Sequence, residues 1–257
     1  MVVKYIFSSV LITLYFFSLL LIPFDVYANK LGARVTAGFW GTEYKGYVTD
    51  SKSSEDSINI KDDLELSNTL QSFFLVYLEQ HISSIPNMRI GRSNIRANGN
   101  SILKRTFIYQ GIEYFANSKI NSTLNFDHLE ASLYWKVINN DNRVDLGITV
   151  KDFNGQISIS EPTSGYAYDS FDAAIPMIYV GYETDLPLTA LTLGINSSFI
   201  GINRAYLYDL MAYARYQTYS YVGVEFGYRR FQININNDVI KTDVRVSGFY
   251  LNGFISF

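Results

Sequence analysis

Beyond Ala28 the chain alternates apolar and polar residues with a period of two, and this pattern constrains its fold more than any other feature. One stretch alternates strictly between the two kinds of side chain: Val144, Asp145, Leu146, Gly147, Ile148, Thr149, Val150 and Lys151. Because successive side chains of a strand point to opposite faces, the pattern predicts strands with one apolar and one polar face. No helical-period stretch of any length follows Ala28. We therefore predict an all-β chain.

The first residues of the chain follow a different pattern. Lys4 precedes an almost wholly apolar run from Tyr5 to Ile22, and Val26-Tyr27-Ala28 offers the small-residue pattern of a cleavage site. A transmembrane anchor is the alternative, because the run approaches the roughly 18 residues that cross a bilayer. Nothing later in the chain resembles a second spanning helix, so we predict a signal peptide at 1–28 and one mature domain at 29–257.

The alternating segments and their connectors predict a barrel. We place ten strands near 33–48, 71–81, 87–97, 120–138, 142–160, 174–184, 189–200, 205–218, 221–236 and 242–257. The connectors after the second, fourth, sixth and eighth strands are short, whereas the connectors at about 49–70, 98–119 and 161–173 are long and polar.

Two all-β architectures compete for this pattern. A soluble β-sandwich would bury its apolar residues and would not alternate long and short loops. A transmembrane antiparallel up-and-down β-barrel has short periplasmic turns, longer extracellular loops and apolar side chains toward lipid. Tyr and Phe, 21 and 18 in number, also concentrate near the predicted strand ends, where interfacial aromatic girdles form. We predict an integral protein of the cell outer membrane with both termini in the periplasm.

Composition narrows the chemistry. The chain has no cysteine, which excludes a disulfide scaffold, a thiol nucleophile, a cysteine-ligated metal and a lipid-anchored cysteine. A net charge of −3 argues against a general nucleic-acid binder. With only two histidines, we predict no metal and no other cofactor.

The end of the chain carries the sharpest motif. Counting back from the terminal Phe257, alternate positions are apolar at Ile255, Leu251 and Phe249, with Gly253 as the exception. A final strand with a terminal aromatic residue resembles the signal that the outer-membrane barrel assembly machinery reads. We therefore expect that machinery and periplasmic chaperones as partners during biogenesis.

Five short stretches carry a resemblance to a known group of proteins: Ile60-Lys61-Asp62-Asp63-Leu64, Ile85-Pro86-Asn87-Met88-Arg89, Tyr208-Asp209-Leu210, Gly227-Tyr228-Arg229-Arg230-Phe231, and Gly248–Gly253 with the final Phe257. With these motifs the chain resembles a family of small, functionally uncharacterised outer-membrane β-barrel proteins of Gram-negative bacteria, of OmpW-like size. The family is defined by its barrel. The resemblance therefore implies fold and location, and no catalytic residues.

The strand register predicts paired charges inside the barrel. If Asn140-Asp141 forms a two-residue hairpin turn, the paired positions on either side of it follow, and the other short turns are read in the same way. The predicted lumen pairs are Lys136 with Asp145, Glu130 with Lys151, Glu79 with Arg89, and Asp209 with Arg229, while Arg215 lies diagonal to Glu225. Buried charge is costly unless it is paired, so these residues would form a polar plug or line a pore.

Catalysis and cation binding have few candidates. Asp127-His128 with Glu130 is the one usable acid–base group, but nothing marks a nucleophile beside it, and we predict that the protein is not an enzyme. Asp62, Asp63 and Glu65 form an acidic cluster whose spacing fits no known calcium loop, so we interpret it as solvated charge.

The predicted role is structural or surface-interacting, with a lumen largely filled by side chains, because small barrels leave little interior space. A narrow, porin-like passive pore for small solutes is the alternative, and an outer-membrane lipid-modifying enzyme is a minor one. The expected surroundings are outer-membrane lipids and lipopolysaccharide, with no nucleic acid, and the protein is expected to be a monomer.

Overall fold

A computed structural model describes residues 31–49, 57–80, 82, 84–202, 204–217, 221–236 and 241–257. The predicted signal peptide, residues 1–28, lies outside the described residues. Within the described residues no helix is long and apolar enough to cross a bilayer. The strands are β1 (Leu31–Thr49), β2 (Ser57–Asn59), β3 (Thr69–Gln80), β4 (Asn87–Ser93), β5 (Arg96–Ile102), β6 (Phe107–Tyr109), β7 (Ile112–Tyr114), β8 (Lys119–Asn139), β9 (Asn142–Glu161), β10 (Gly165–Asp185), β11 (Leu191–Ile202), β12 (Ala205–Tyr216), β13 (Val222–Asn236) and β14 (Lys241–Ser256).

The wall is a closed antiparallel barrel of ten strands. Its order is β1, β3, β4, β8, β9, β10, β11, β12, β13 and β14, and β14 pairs with β1 to close the ring. The seam continues to the chain end, where the Phe257 amide donates to the Ala33 carbonyl at 2.8 Å. β5 follows β4 along β8, β2 extends β1, and β6 and β7 form a separate hairpin. The predicted fold class and strand number are confirmed.

The exterior and the interior have opposite chemistry along each strand. On β14, Leu251 and Phe249 point outward with 59% and 63% of their surface exposed, whereas Asn252 points inward and is buried. On β9, Ile148 is 57% exposed and the neighbouring Thr149 is fully buried. An apolar outer belt around a polar interior is the arrangement that lipid requires of a barrel.

The two ends of the barrel differ in their connectors. One end, here called the turn end, carries residues 82, 84–86, 140–141, 186–190, 217 and 221 together with the C-terminus. The opposite end, here called the loop end, carries the connectors that precede β3, β8 and β10. These names make no reference to the cell.

The third long loop of the prediction is wrong. Residues 161–173 were expected to be irregular, but only Pro162–Ser164 forms a turn, and β10 begins at Gly165. Tyr166 pairs with Ser160 and Ala173 with Phe153, so the whole segment is hydrogen-bonded to β9. Its Asp, Ser, Ala and Gly content favours a loop, but pairing with an existing strand overrides such weak intrinsic preferences.

Unequal strand lengths produce an overhang at the loop end. β8 and β10 have 21 residues each, whereas β11 and β12 have 12. The β10–β11 ladder stops at Ile178, opposite Phe199. We call the protruding sheet the overhang, formed by Gly165–Ala174, Asp152–Glu161 and Lys119–Leu129. It extends the wall on one side by about ten residues, or roughly 30 Å of strand.

The described parts of the two other long connectors pack at the loop end. Both carry apolar side chains that are almost fully buried under the overhang: Ile58, Ile60, Leu64, Leu103, Phe107, Tyr109 and Tyr114. The Tyr114 hydroxyl donates to the Ile159 carbonyl at 3.1 Å, which ties the β6–β7 hairpin to β9. The loop end of the barrel therefore contains a small apolar core of its own.

Candidate functional site

The middle of the lumen is occupied by Lys151 and two carboxylates. Lys151 has no exposed surface, and its ammonium lies 2.8 Å from Asp209 Oδ2 and in direct contact with Glu130 Oε2. Glu130 and Lys151 face each other on β8 and β9, whereas Asp209 reaches across from β12. The ammonium thus joins opposite sides of the wall.

Two arginines extend this group. Arg229 makes two hydrogen bonds to Asp209, at 2.9 Å from Nε to Oδ1 and 2.6 Å from Nη2 to Oδ2, and a third to Ser93 Oγ at 2.9 Å. The Arg89 guanidinium lies 3.2 Å from Glu130. A planar guanidinium with two parallel bonds to one carboxylate holds that carboxylate in a fixed orientation. We call Arg89, Glu130, Lys151, Asp209 and Arg229 the charge network.

Aromatic rings cover the arginines of the charge network. The Arg229 guanidinium carbon lies 4.8 Å from the centre of the Trp40 ring and 5.5 Å from the Phe73 ring. Arg89 lies 4.7 Å from the Tyr179 ring. Cation–π contact adds stabilisation once the cation is desolvated. The exposed fraction of every member of the charge network is 6% or less, so the lumen is filled at this level.

His128 lies directly above the charge network, toward the loop end. Its ring is stacked 5.8 Å from Phe231 and lies 4.8 Å from Phe153. Its Nδ1 is 3.1 Å from the Phe126 carbonyl and its Nε2 is 3.2 Å from the Lys151 ammonium. A carbonyl can only accept and an ammonium can only donate, so Nδ1 carries the proton and Nε2 is the acceptor.

These contacts determine what the predicted acid–base group can do. The ligand atoms of His128, Glu130 and Asp209 all lie within 4.8 Å of one another, which suits a metal ion. The position between them is taken by the Lys151 ammonium, which contacts all three. Asp127 turns away and pairs with Arg96 through its carboxylate.

The predicted register holds for one hairpin and differs for two. Glu130 lies opposite Lys151 and Lys136 lies opposite Asp145, as expected. Arg89 lies opposite Tyr77 rather than Glu79, because β4 is displaced by two residues along β3 from the predicted register. The predicted Glu79–Arg89 pair is therefore wrong, and the partner of Arg89 is Glu130.

The β12–β13 hairpin is displaced by two residues from the prediction. Arg215 lies directly opposite Glu225, and Asp209 lies opposite Phe231. The pair predicted to be direct, Asp209 with Arg229, is therefore diagonal in the structure, and the pair predicted to be diagonal, Arg215 with Glu225, is direct. A shift of two residues keeps every side chain on its face, so Asp209 and Arg229 still meet diagonally in the lumen.

A polar cavity of about 330 Å³ lies between the charge network and the turn end. We call it the vestibule. Its charged lining is Arg34, Glu79, Lys136, Arg143, Asp145, Glu183, Asp185 and Arg215. Lys136 binds Glu79 at 2.8 Å although Asp145 is its ladder partner, and Arg143 binds both Glu183 and Asp185.

Several residues of the vestibule were missed from sequence. Three of them lie an even number of residues from an inward-facing position on their own strand: Arg34, Arg143 and Glu183. Counting alternate positions along each strand could therefore have predicted that they face the lumen. Tyr179 and Tyr134, which contact at 5.4 Å between ring centres and also line the vestibule, have no charge to mark them. Their position follows from the same parity.

The remaining predicted residues lie outside the lumen. Phe249, Leu251, Ile255 and Phe257 are 46–73% exposed on the outer face of the last strand and beyond it. In the acidic cluster, Asp63 accepts from Arg105 Nη2 at 2.7 Å and from the Asn59 amide at 2.9 Å, so its carboxylate already has partners. Asp62 and Glu65 are exposed.

Comparison with known proteins identifies a fold and no family. No protein-family model matches the sequence, and no curated protein matches it. Among solved structures, the chain is similar to the outer membrane protease OmpT from Escherichia coli, with 9% identity, a TM-score of 0.50, and coverage of 89% of this chain and 96% of that one. It is also similar to Ail, the attachment invasion locus protein of Yersinia pestis, with 10% identity, a TM-score of 0.40, and coverage of 89% and 99%. The chain has the fold of a Gram-negative outer-membrane β-barrel.

Proposed function

We propose that the protein is an integral outer-membrane barrel with a closed lumen, whose role is structural or surface-interacting. The charge network carries this proposal. It joins β4, β8, β9, β12 and β13 across the lumen through contacts of 2.6–3.2 Å between buried groups. Such a layer ties opposite walls together and leaves no water-filled column at its level.

The overhang supports a role at the cell surface. We place the turn end and both termini in the periplasm, so that the overhang projects outward from lipid and lipopolysaccharide. Within the described residues, Gly165–Met177 pairs with β9 on one edge only. Tyr166 and Tyr168 are more than half exposed on its outer face, with their rings 5.9 Å apart. A rigid sheet with exposed tyrosines is suited to contact other macromolecules.

A narrow passive pore is the second candidate, and the vestibule is the observation that favours it. The vestibule is large enough for several waters, but its lining ends at Tyr134 and Tyr179, beneath the charge network. Conduction would require Lys151, Asp209 and Arg229 to separate. Removing one partner of a buried ion pair leaves an uncompensated charge that costs about 3–5 kcal/mol.

An enzymatic role has less support. His128 donates through Nδ1 and accepts through Nε2 from an ammonium, so it has no lone pair left for a substrate. Phe153 and Phe231 pack against its ring, and the side chain is buried. The proposed function therefore contains no catalytic step.

Planar-bilayer conductance of the refolded protein tests the proposal. Wild-type protein is expected to give no steady channel. Arg229→Ala is expected to lower the unfolding temperature and to admit a leak, because Asp209 then loses its bidentate partner. Arg92→Ala is the matched control, since Arg92 is an exposed residue of β4 and its removal should change neither property. Steady ohmic conductance of the wild type would support the pore instead.

The double variant separates the pair from its surroundings. Asp209→Ala with Arg229→Ala is expected to recover part of the stability that Arg229→Ala loses, because no carboxylate is then left unpaired. Lys151 retains Glu130 in the double variant. If Asp209→Ala and Arg229→Ala each unfold at the wild-type temperature and admit no leak, the charge network does not stabilise the barrel.

A further inference from the structure

A second cavity lies at the loop end, separated from the charge network by the rings of Phe126, Phe231 and His128. Its volume is about 190 Å³. The lining is mainly apolar and consists of Val48, Thr49, Tyr109, Leu124, Phe126, Gln156, Ile157, Asp169, Ser170, Phe171, Ile233, Ile235 and Thr242. We call it the mouth pocket. It belongs to neither the charge network nor the vestibule.

The mouth pocket opens through a gap in the wall. β11 and β12 lie between β10 and β13 in the barrel, yet none of the residues that line the pocket belongs to either strand. The reason is length, since β11 ends at Ile202 and β12 begins at Ala205, while β10 continues outward to Gly165. The pocket therefore faces outward above the β11–β12 hairpin, where Ile202 and Tyr206 are exposed.

The floor of the mouth pocket is closed. Phe126 contacts Phe171 at 5.6 Å and Phe231 at 6.5 Å between ring centres. His128 stacks beneath Phe231, and the charge network follows. An apolar molecule that enters the pocket meets packed rings and then buried charged groups below it, so it leaves by the route it entered. The geometry is that of a binding site and not of a passage.

The chemistry of the lining defines the ligand. Apolar walls favour an apolar body, and a dry cavity of about 150 Å³ is already sufficient for benzene in another protein. The lining also includes Asp169, Gln156 and Thr242, which carry hydrogen-bonding groups, and among the described residues it contains a carboxylate but no cation. Gln110 approaches Asp169 at 3.4 Å, which leaves acceptor capacity on that carboxylate.

We propose that the mouth pocket binds a neutral or cationic molecule with one aromatic ring or a short alkyl group and a hydrogen-bond donor. The apolar part lies against Phe171, Ile157 and Ile233, and the donor faces Asp169. Carboxylate ligands are disfavoured, because Asp169 would repel a second negative charge and the described part of the lining offers no cation to pair with it.

Fluorine NMR of 4-fluorophenol with the protein in lipid nanodiscs tests this site, with empty nanodiscs as the baseline for partition into lipid. Wild-type protein is expected to give a saturable shift beyond that baseline. Ile157→Trp fills the pocket and should abolish the saturable shift. The matched control is Ile148→Trp on the same strand, which is 57% exposed on the outer face and should leave the shift unchanged. 4-Fluorobenzoate should show no saturable shift with wild-type protein.

A position-specific readout keeps the proposal testable if Ile157→Trp does not fold. The chain has no cysteine, so Ser170→Cys and Thr189→Cys each accept a single nitroxide label. A label at position 170, in the pocket lining, should broaden the bound 4-fluorophenol signal, whereas one at position 189, at the turn end, should not. Equal broadening by both labels, a shift no greater than in empty nanodiscs, or equal binding of 4-fluorobenzoate would each overturn the proposal.

Discussion

A single ammonium organises the centre of this barrel. Lys151 has three donor positions and three acceptors, on His128, Glu130 and Asp209. Lysine is rarely buried completely unless its charge is paired, and here two carboxylates pair with it. The side chain thus neutralises like charges that come from β8 and β12 and would otherwise repel each other.

Lys151→Ala is expected to destabilise the barrel strongly. Glu130 and Asp209 would then lack their shared cation, and loss of one partner in a buried ion pair costs about 3–5 kcal/mol. Heat-modifiability on gels gives the change in unfolding temperature. Lys45→Ala is the control, because the exposed Lys45–Glu43 pair should contribute about 1 kcal/mol or less.

The same variant should acquire a metal site. Without the ammonium, the imidazole and the two carboxylates lie within 4.8 Å of one another, and Zn²⁺ accepts nitrogen and oxygen ligands at such positions. Zinc is therefore expected to raise the unfolding temperature of Lys151→Ala and to leave wild-type protein unaffected. Equal responses of both proteins to zinc would contradict the assigned geometry.

The tip of the overhang provides a pH-dependent contact. The Glu161 carboxylate accepts from the amides of Thr163, at 2.9 Å, and Ser164. These hydrogen bonds, first of all the Ser164 amide, lower the pKa of Glu161. A lowered folded-state pKa means that the contact is present above the ordinary pKa of glutamate and is lost as the pH falls through the lowered value.

Amide chemical shifts report this titration. The Ser164 amide is expected to move as the pH falls below the usual range of glutamate pKa values. Glu161→Gln should remove that movement. A Ser164 amide that titrates in the variant as it does in the wild type would show that Glu161 does not cap the turn.

At the scale of strands, alternation predicted most of the wall. It succeeds for β8 and β9 because their apolar and polar faces are both long and regular. It fails for the first part of β10, where Asp169, Ser170 and Asp172 give no clear apolar face. There the strand forms because β9 supplies a partner along its full length, which a single segment cannot reveal.

The pairing register of a hairpin depends on single-residue bulges, which the amino-acid composition does not reveal. Near the turn, Asn139 pairs with Arg143, but beyond a bulge at Val137 the ladder shifts and Lys136 meets Asp145. The prediction assumed a two-residue turn, whereas the pairing next to the turn is shifted by one residue. The bulge cancels this shift, so the predicted register is correct in the strand interior. No such compensation exists at β3–β4, and there the predicted Glu79–Arg89 pair failed. Contacts across the lumen, such as Lys151 with Asp209, need the closed barrel and could not be derived from hairpins alone.

The last strand closes the seam of the barrel and carries the residues that we propose as an assembly signal. Phe257 closes the barrel through backbone hydrogen bonds with Ala33, and its ring is 73% exposed. Phe257→Asp leaves those backbone groups in place but removes the aromatic ring. It is expected to reduce outer-membrane insertion and to leave protease-sensitive chain in the periplasm. Phe257→Tyr is the control and should insert normally, and full insertion of Phe257→Asp would rule out the ring as an assembly signal.

The orientation of the whole barrel is open to direct measurement. An epitope tag inserted at Ser164, in the turn at the tip of the overhang, is expected to be accessible to antibody on intact cells. A tag at Asn140, in a turn at the opposite end, should become accessible only after the outer membrane is permeabilised. Labelling of Asn140 on sealed cells would reverse the orientation proposed here.

If the overhang projects from the cell as proposed, its regular structure also limits how its sequence can vary. In an irregular loop, insertions and substitutions at most positions leave the rest of the protein intact. In the overhang, Ala167 and Phe171 face the barrel interior, whereas Tyr166, Tyr168, Ser170 and Asp172 are exposed. Variation would therefore be restricted at the interior-facing positions, and an insertion would displace them. An antibody raised against this sheet would recognise a conformational epitope that the protein cannot lengthen without losing its own packing.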